Sequence, residues 1–339
     1  MKPTVLITIA CSLVLSLFSS VVWSAQEVNV YSYRQPFLIQ PMFDAFTKAT
    51  GIKVNVVFAK EGLMERLQRE GLNSPADVML TVDIGRLNDA VDMDLVQPVD
   101  SETLKANIPA QYRHPDGLWF GLTTRARIFV VSKERVKPDE ASSYEALVEP
   151  QWKGRICTRS GKHVYSVALT AAMIAHHGEA AAEQWLTGLK NNLARRPQGN
   201  DRAQVKAIKE GQCDLALINS YYVGNMLADE EQSGWAAAVN IVFPNQDSDG
   251  THVNISGMVL TKNAPNQENA IQLMEFLSGE LAQQMYAEQN YEYPVNPTVP
   301  WSGLLKSWGE FKVDPLPLAE IAKYRTAATK LADKVGYDD

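Results

Sequence analysis

The chain has 339 residues, 45% of them hydrophobic, with 32 basic against 39 acidic side chains and a formal charge of −7. A chain of this length exceeds what one core usually supports, so two lobes are expected. The acidic balance excludes nucleic acid as a partner, because no basic excess is present to release counterions.

The first two dozen residues read as an export signal. Met1-Lys2 supplies a positive start, Val5 to Val22 is predominantly apolar, and Val22-Trp23-Ser24 offers a cleavage site. The cut is placed after Ser24, with Ala25 as the neighbouring alternative. The serines near the end of the apolar run and the polar Ala25-Gln26-Glu27 beyond it argue against an uncleaved anchor. Cys11 comes too early for lipid attachment and is a passenger in this segment. Removing the signal leaves 31 basic against 39 acidic side chains, a charge of −8. An acidic, exported body with no later membrane-spanning run belongs in the periplasm or outside the cell.

Val28 to Tyr33 alternates as a strand does. Arg34-Gln35-Pro36-Phe37 breaks it, and Pro41 suits the first turn of a helix running to a Gly51 stop. Ile52 to Phe58 is a second strand, completing a βαβ-sized unit. A helix over Gly62 to Glu70, a strand over Ala76 to Thr81 and a helix over Ile84 to Met93 repeat the pattern, which predicts a largely parallel sheet. No glycine-rich dinucleotide or P-loop fingerprint occurs at these turns.

Trp119 to Leu122 and Arg127 to Ser132 read as two strands, the second a crossing between lobes. Tyr144 to Leu147 opens a helix, Val164 to His177 is a long apolar helix, Ala180 to Leu193 is another, and Ala203 to Lys209 a third. They lead into Cys213-Asp214 and the apolar Leu215 to Ile218, a short buried strand that stops at Asn219-Ser220-Tyr221-Tyr222. Asn219 and Ser220 are residue types that cap a following helix. The two tyrosines then sit at the carboxyl end of a strand, where α/β sheets bind ligands. Taken alone, such a pair is a packing feature.

Val239 to Pro244 reads as the return crossing, Met258 to Leu260 as a short strand, and Gln267 to Leu277 and Leu281 to Ala287 as helices. A proline-rich stretch and a helical Leu318 to Val335 close the chain. Leaving one lobe, building a second and returning across a strand suits a hinged binding protein that closes on its ligand. Cys157 and Cys213 most simply form a disulfide in an oxidising compartment, with two buried free thiols as the alternative.

In order and spacing, several motifs together resemble the periplasmic ferric-iron-binding proteins of ABC importers, the transferrin-like bacterial iron-binding proteins. They are Val30-Tyr31-Ser32-Tyr33-Arg34-Gln35, Ala76 to Asp83, Trp119 to Arg127, Trp152 to Ser160, Pro197 to Asp201, Asn219 to Tyr222 and Tyr291 to Pro297. The resemblance covers essentially the whole mature chain. It implies an α/β, two-lobed periplasmic binding protein of type 2 with a hinge of crossing strands. Residues 25–126 with 245–295 would form the N-terminal lobe, and 127–244 with 296–339 the C-terminal lobe.

The same resemblance implies that Tyr165, Tyr221 and Tyr222 are ligands of ferric iron. Some relatives add a histidine and a tyrosine from an Arg-His-Tyr loop. Here Arg34-Gln35-Pro36-Phe37 stands in that place, so coordination positions remain for carbonate or another small anion, with Arg34 and Arg125 as candidates to hold it. The implied partner is the membrane permease of an ABC importer, with the chain itself a monomer.

The chemistry agrees with that reading. Ferric ion is hard and trivalent and favours anionic oxygen donors, an extension of the softness rule for divalent metals. A bound cation draws a phenol of ordinary pKa about 10 into its phenolate form. Zinc is a poorer fit, since His176 and His177 are adjacent on a helix and diverge. The rival within binding proteins is a receptor for an organic anion or polyamine. A hydrolase would need a nucleophile, and the nearest pairing, Ser160 with His163, lacks a Gly-x-Ser-x-Gly elbow. The chain is therefore expected not to be an enzyme.

Overall fold

The computed structural model describes residues 26–339. The export signal read over 1–24, its Cys11 and the cut after Ser24 lie outside the described residues. Strand β1 (Glu27–Ser32) runs into helix α1 (Pro36–Thr50). The helix starts earlier than expected because Pro36, not Pro41, takes its first position, where a missing N–H is harmless. Pro41 lies inside the helix and forgoes one intrahelical bond. Gly51, in the left-handed region at φ 77°, ends it.

The expected rhythm continues through β2 (Lys53–Phe58), α2 (Leu63–Glu70), β3 (Val78–Thr81) and α3 (Ile84–Asp92). After α4 (Glu102–Asn107) comes β4 (Phe120–Ser132), a single strand of 13 residues, all buried. The sequence suggested two strands here, because Thr123-Thr124-Arg125 interrupts the apolar run. These polar residues are covered as well, so the pattern breaks while the strand does not.

The second half comprises β5 (Ile156–Cys157), α5 (Val164–His177), α6 (Glu179–Asn191), α7 (Asp201–Lys209) and β6 (Leu215–Asn219). It continues with α8 (Tyr221–Leu227), α9 (Ser233–Ala236) and β7 (Val239–Val242). The chain then forms β8 (Val253–Leu260), α10 (Gln267–Ser278), α11 (Glu280–Gln289) and β9 (Tyr293–Pro294). Three helices close it: α12 (Gly303–Ser307), α13 (Leu318–Ala322) and α14 (Arg325–Lys334). The last two replace the single helix expected over Leu318 to Val335.

Strand β4 joins the two halves. From Phe120 to Ala126 it pairs with β8, and from Arg127 to Val131 it pairs with β6, while β7 lies along Phe129 to Ser132. The expected return crossing at Val239 to Pro244 is therefore displaced: β7 stays with the second half, and the chain goes back over residues 243–252 to enter β8. The sheet is mixed rather than largely parallel. The pairings β1–β2, β1–β3 and β5–β6 are parallel, whereas every partner of β4, and β3 with β8, is antiparallel. Crossing strands run back against the βαβ units they connect.

Helices cover both faces. Phe43, Phe46, Leu273 and Tyr286 pack on one face of the first half. Val205, Val223 and Met226 pack with Ile128 and Ile218 on one face of the second. On the opposite side a continuous core runs past the junction, from Trp119 through Phe129 and Tyr144 to Leu331. At the junction the Tyr144 hydroxyl donates to the Arg127 carbonyl (2.5 Å) and accepts from the His252 N–H (3.2 Å), fastening β4 to the returning segment.

Candidate functional site

The carboxyl end of β6 delivers the tyrosine pair. Asn219 and Ser220 do not cap α8 as expected. The Asn219 side-chain oxygen accepts from Arg127 (3.2 Å), and the Ser220 hydroxyl accepts from the Ala126 N–H (3.2 Å), so both fix the strand end to β4 at its change of partners. Tyr221 and Tyr222 follow as the first two residues of α8, with ring centroids 4.3 Å apart.

Tyr165 reaches them from the first turn of α5. That turn is shaped by His163, whose Nδ1 accepts the Tyr165 N–H at 3.2 Å. Burial, and next the Arg159 charge, push the His163 imidazole down to about 3, so it stays neutral as a cap requires. The Tyr165 and Tyr221 hydroxyl oxygens are 3.2 Å apart. All three rings are half-buried on the wall of a cleft of about 370 Å³, which Tyr33, Arg34 and Arg125 line as well.

Burial raises Tyr221 well above the ordinary phenol range, and the neighbouring Tyr165 and Tyr222 reinforce the shift. Tyr222 is raised by burial, by Tyr165 and by Asp201. Both are neutral phenols in neutral solution. Cations surround them: the guanidinium carbons of Arg125 and Arg159 lie 5.7 and 5.1 Å from the Tyr165 ring centre, and that of Arg202 lies 5.6 Å from the Tyr222 ring. A phenolate formed here would meet positive charge at once.

The arginines are not equivalent. Asp201 is fully buried between Arg127 (2.9 Å) and Arg159 (2.8 Å) and accepts the Asn219 N–H at 2.8 Å. Burial works to raise its carboxyl, but Arg127 and Arg159 outweigh burial and hold it below the usual range. Arg34 forms a buried ion pair with Glu292 and donates to the Ser256 hydroxyl at 2.7 Å. Arg125 donates through Nη1 to the same hydroxyl at 3.2 Å, while its Nε and Nη2 have no protein partner among the described residues. It is 2% exposed. A buried guanidinium with two free donors beside the tyrosines is suited to an anion.

Other residues weighed from the sequence have separate duties. The Tyr31 hydroxyl donates to Glu70, and that of Tyr33 accepts the Met64 N–H. His176 and His177 face different carboxylates, Asp314 at 2.8 Å and Glu145 at 2.9 Å. Ser160 donates to Asp338 at 2.6 Å rather than meeting His163, so no nucleophile and base are paired there. Cys157 and Cys213 form a disulfide, with Cα atoms 5.9 Å apart, that joins β5 to the approach of β6. Among the described residues, no three His, Cys, Asp or Glu side chains gather into a metal-sized group.

Glu292, Asp201 and Ser256 are further residues of the site that carry no sequence signal of their own. The first two lie inside the motifs that carry the resemblance, but nothing local marks Glu292 as the partner of a residue 258 positions away.

The model of the family described as bacterial extracellular solute-binding protein matches residues 73–307. Iron uptake protein A1 of Synechocystis sp. is 45% identical over 315 residues, which is 92% of this chain and 88% of that protein. The structure of apo ferric ion-binding protein A from Pasteurella haemolytica aligns with a TM-score of 0.90 at 55% identity, covering 93% of this chain and 99% of that one. A Trichodesmium protein solved in complex with iron and citrate aligns at 0.87 with 44% identity, covering 92% and 99%.

Proposed function

The chain belongs to the bacterial extracellular solute-binding proteins and has the two-lobed α/β fold of the type 2 periplasmic members, and on that premise we propose that it binds ferric iron in its cleft and delivers it to an ABC importer. The phenolates of Tyr165, Tyr221 and Tyr222 hold the metal. A small anion such as carbonate, held by Arg125 with help from Arg34, completes the coordination. The protein works in the periplasm, as a monomer, with a membrane permease as its partner. The ferric-iron-binding proteins among its relatives support the choice of cargo.

The observation that carries this reading is the convergence of Tyr165 and Tyr221 oxygens beside Tyr222, with the unpartnered donors of Arg125 lining the same cleft. Three phenolates offset the charge of a trivalent ion, and the anion then answers the remaining arginine. The division into residues 25–126 with 245–295 and 127–244 with 296–339 is supported by the change of partners in β4 between Ala126 and Arg127. Opening along this hinge would separate the Arg34 wall from the tyrosine wall and release the cargo.

Titrating iron-free protein with ferric salt, with and without carbonate, tests the reading. A visible phenolate-to-iron charge-transfer band should saturate at one ion per chain and strengthen with carbonate. Absence of the band would overturn the proposal, and a carbonate-independent titration would remove the anion from it.

A further inference from the structure

Tyr291 is the residue after the cap of α11, where a helix ending in the left-handed region usually carries glycine. Here an aromatic residue takes that conformation, at φ 58°, and a bulky side chain there is a strained choice. The turn is pinned on both sides. The Glu292 N–H donates back to the Tyr286 carbonyl at 3.3 Å, and the Asn290 side chain donates to the Leu38 carbonyl of α1 at 2.9 Å.

The strained turn aims the Tyr291 ring at Gly224. A Cβ on Gly224 would lie 2.3 Å from Tyr291 Cγ and 2.6 Å from its Cβ, which no side chain tolerates. Gly224 lies inside α8 and has no positive φ, so the backbone does not require glycine; alanine would suit a helix better. Glycine serves there to admit the ring. The contact joins opposite sides of the cleft, since Tyr291 hangs between α11 and β9 in the first half while Gly224 lies one turn beyond Tyr221 in the second. Its neighbour Glu292 is the partner of Arg34.

We propose that Tyr291 seated on Gly224 is a latch across the cleft, which sets α8, and with it the tyrosine pair, against the Arg34–Glu292 wall and slows the loss of cargo. The latch rests on the ferric-iron reading for its cargo, but the contact is independent of it. Losing a packed aromatic contact of this kind should speed removal of ferric iron by a competing chelator about tenfold.

The test is a double-mutant cycle. Tyr291→Gly and Gly224→Ala should each accelerate iron loss while leaving the charge-transfer band in place. Because Tyr291→Gly also relieves the strained φ, its Tm should hold or rise, whereas a merely structural tyrosine would lower Tm and retention together. The double variant should lose iron no faster than Tyr291→Gly alone, since alanine at 224 then meets no ring. Additive rates, or unchanged rates in both single variants, would overturn the latch. X-ray scattering of the iron-free proteins reads the same device without cargo. Gly224→Ala should enlarge the radius of gyration in the Tyr291 background only, and equal radii throughout would contradict it even if the wild type bound no iron.

Discussion

The Tyr221 hydroxyl, 3.2 Å from that of Tyr165, carries a proton that ferric iron would have to displace under the proposed reading. Burial and neighbouring phenols raise Tyr221 and Tyr222, so the protonated form prevails throughout the neutral range. Acid therefore drives the exchange backwards, and apparent affinity should fall about tenfold per pH unit for each proton displaced. A competition titration between about pH 6 and 8 measures that slope, and a flat profile would contradict phenolate ligation. The arginines separate in a second experiment. Arg34→Gln leaves Glu292 buried without its cation and should destabilise the fold by about 3–5 kcal/mol in chemical denaturation. Arg125→Gln removes a buried charge that has no carboxylate partner, so stability should hold while the carbonate dependence of iron binding disappears. The reverse pattern would assign the anion to Arg34.

Among the elements, the approach to the tyrosine pair is held by β6, the Cys157–Cys213 disulfide and the Asp201 ion-pair triad. Replacing both cysteines by alanine frees a loop with a sequence separation of 56 and should lower stability by about 2–4 kcal/mol. The charge-transfer band should persist, because Ser220 and Asp201 still fix the end of β6; its loss from a folded variant would show that the disulfide positions the site. Asp201 has the opposite pH sign to the phenols. Its folded pKa is depressed, so its contribution to stability is present above the unfolded carboxylate value of about 3.9 and is lost as pH falls towards the folded one. Most helices and the strand before the tyrosines were legible in the sequence, because their apolar periodicity and glycine stops are local signals. Strand β4 was not, since Thr123-Thr124-Arg125 are polar yet buried where β4 pairs with β8 and β9. The capping duty expected of Asn219 and Ser220 also failed, because hydrogen bonds to a strand more than 90 residues distant replaced it. Tyr165, Tyr221 and Tyr222 stand out through family resemblance, and their approach in space depends on α5 and β6 meeting, which spacing alone does not reveal.

On the scale of the molecule, an acidic chain places a concentration of arginine around one cleft, and among the described residues only Glu292 and Asp201 pair with that group closely. Three phenols lining the same cleft can supply the remaining negative charge, but only on giving up their protons to a strong cation. On the proposed reading the site is conditional: cationic while the phenols keep their protons, and balanced when three phenolates meet a trivalent ion, at a junction where Tyr144 fastens β4 to the segment returning into β8. The most direct measurement is diffraction from crystals of the ferric-loaded protein, recorded on both sides of the iron absorption edge. A single anomalous peak bonded to the Tyr165, Tyr221 and Tyr222 oxygens is the predicted result. A peak held by carboxylates or histidines, or lying outside this cleft, would contradict it.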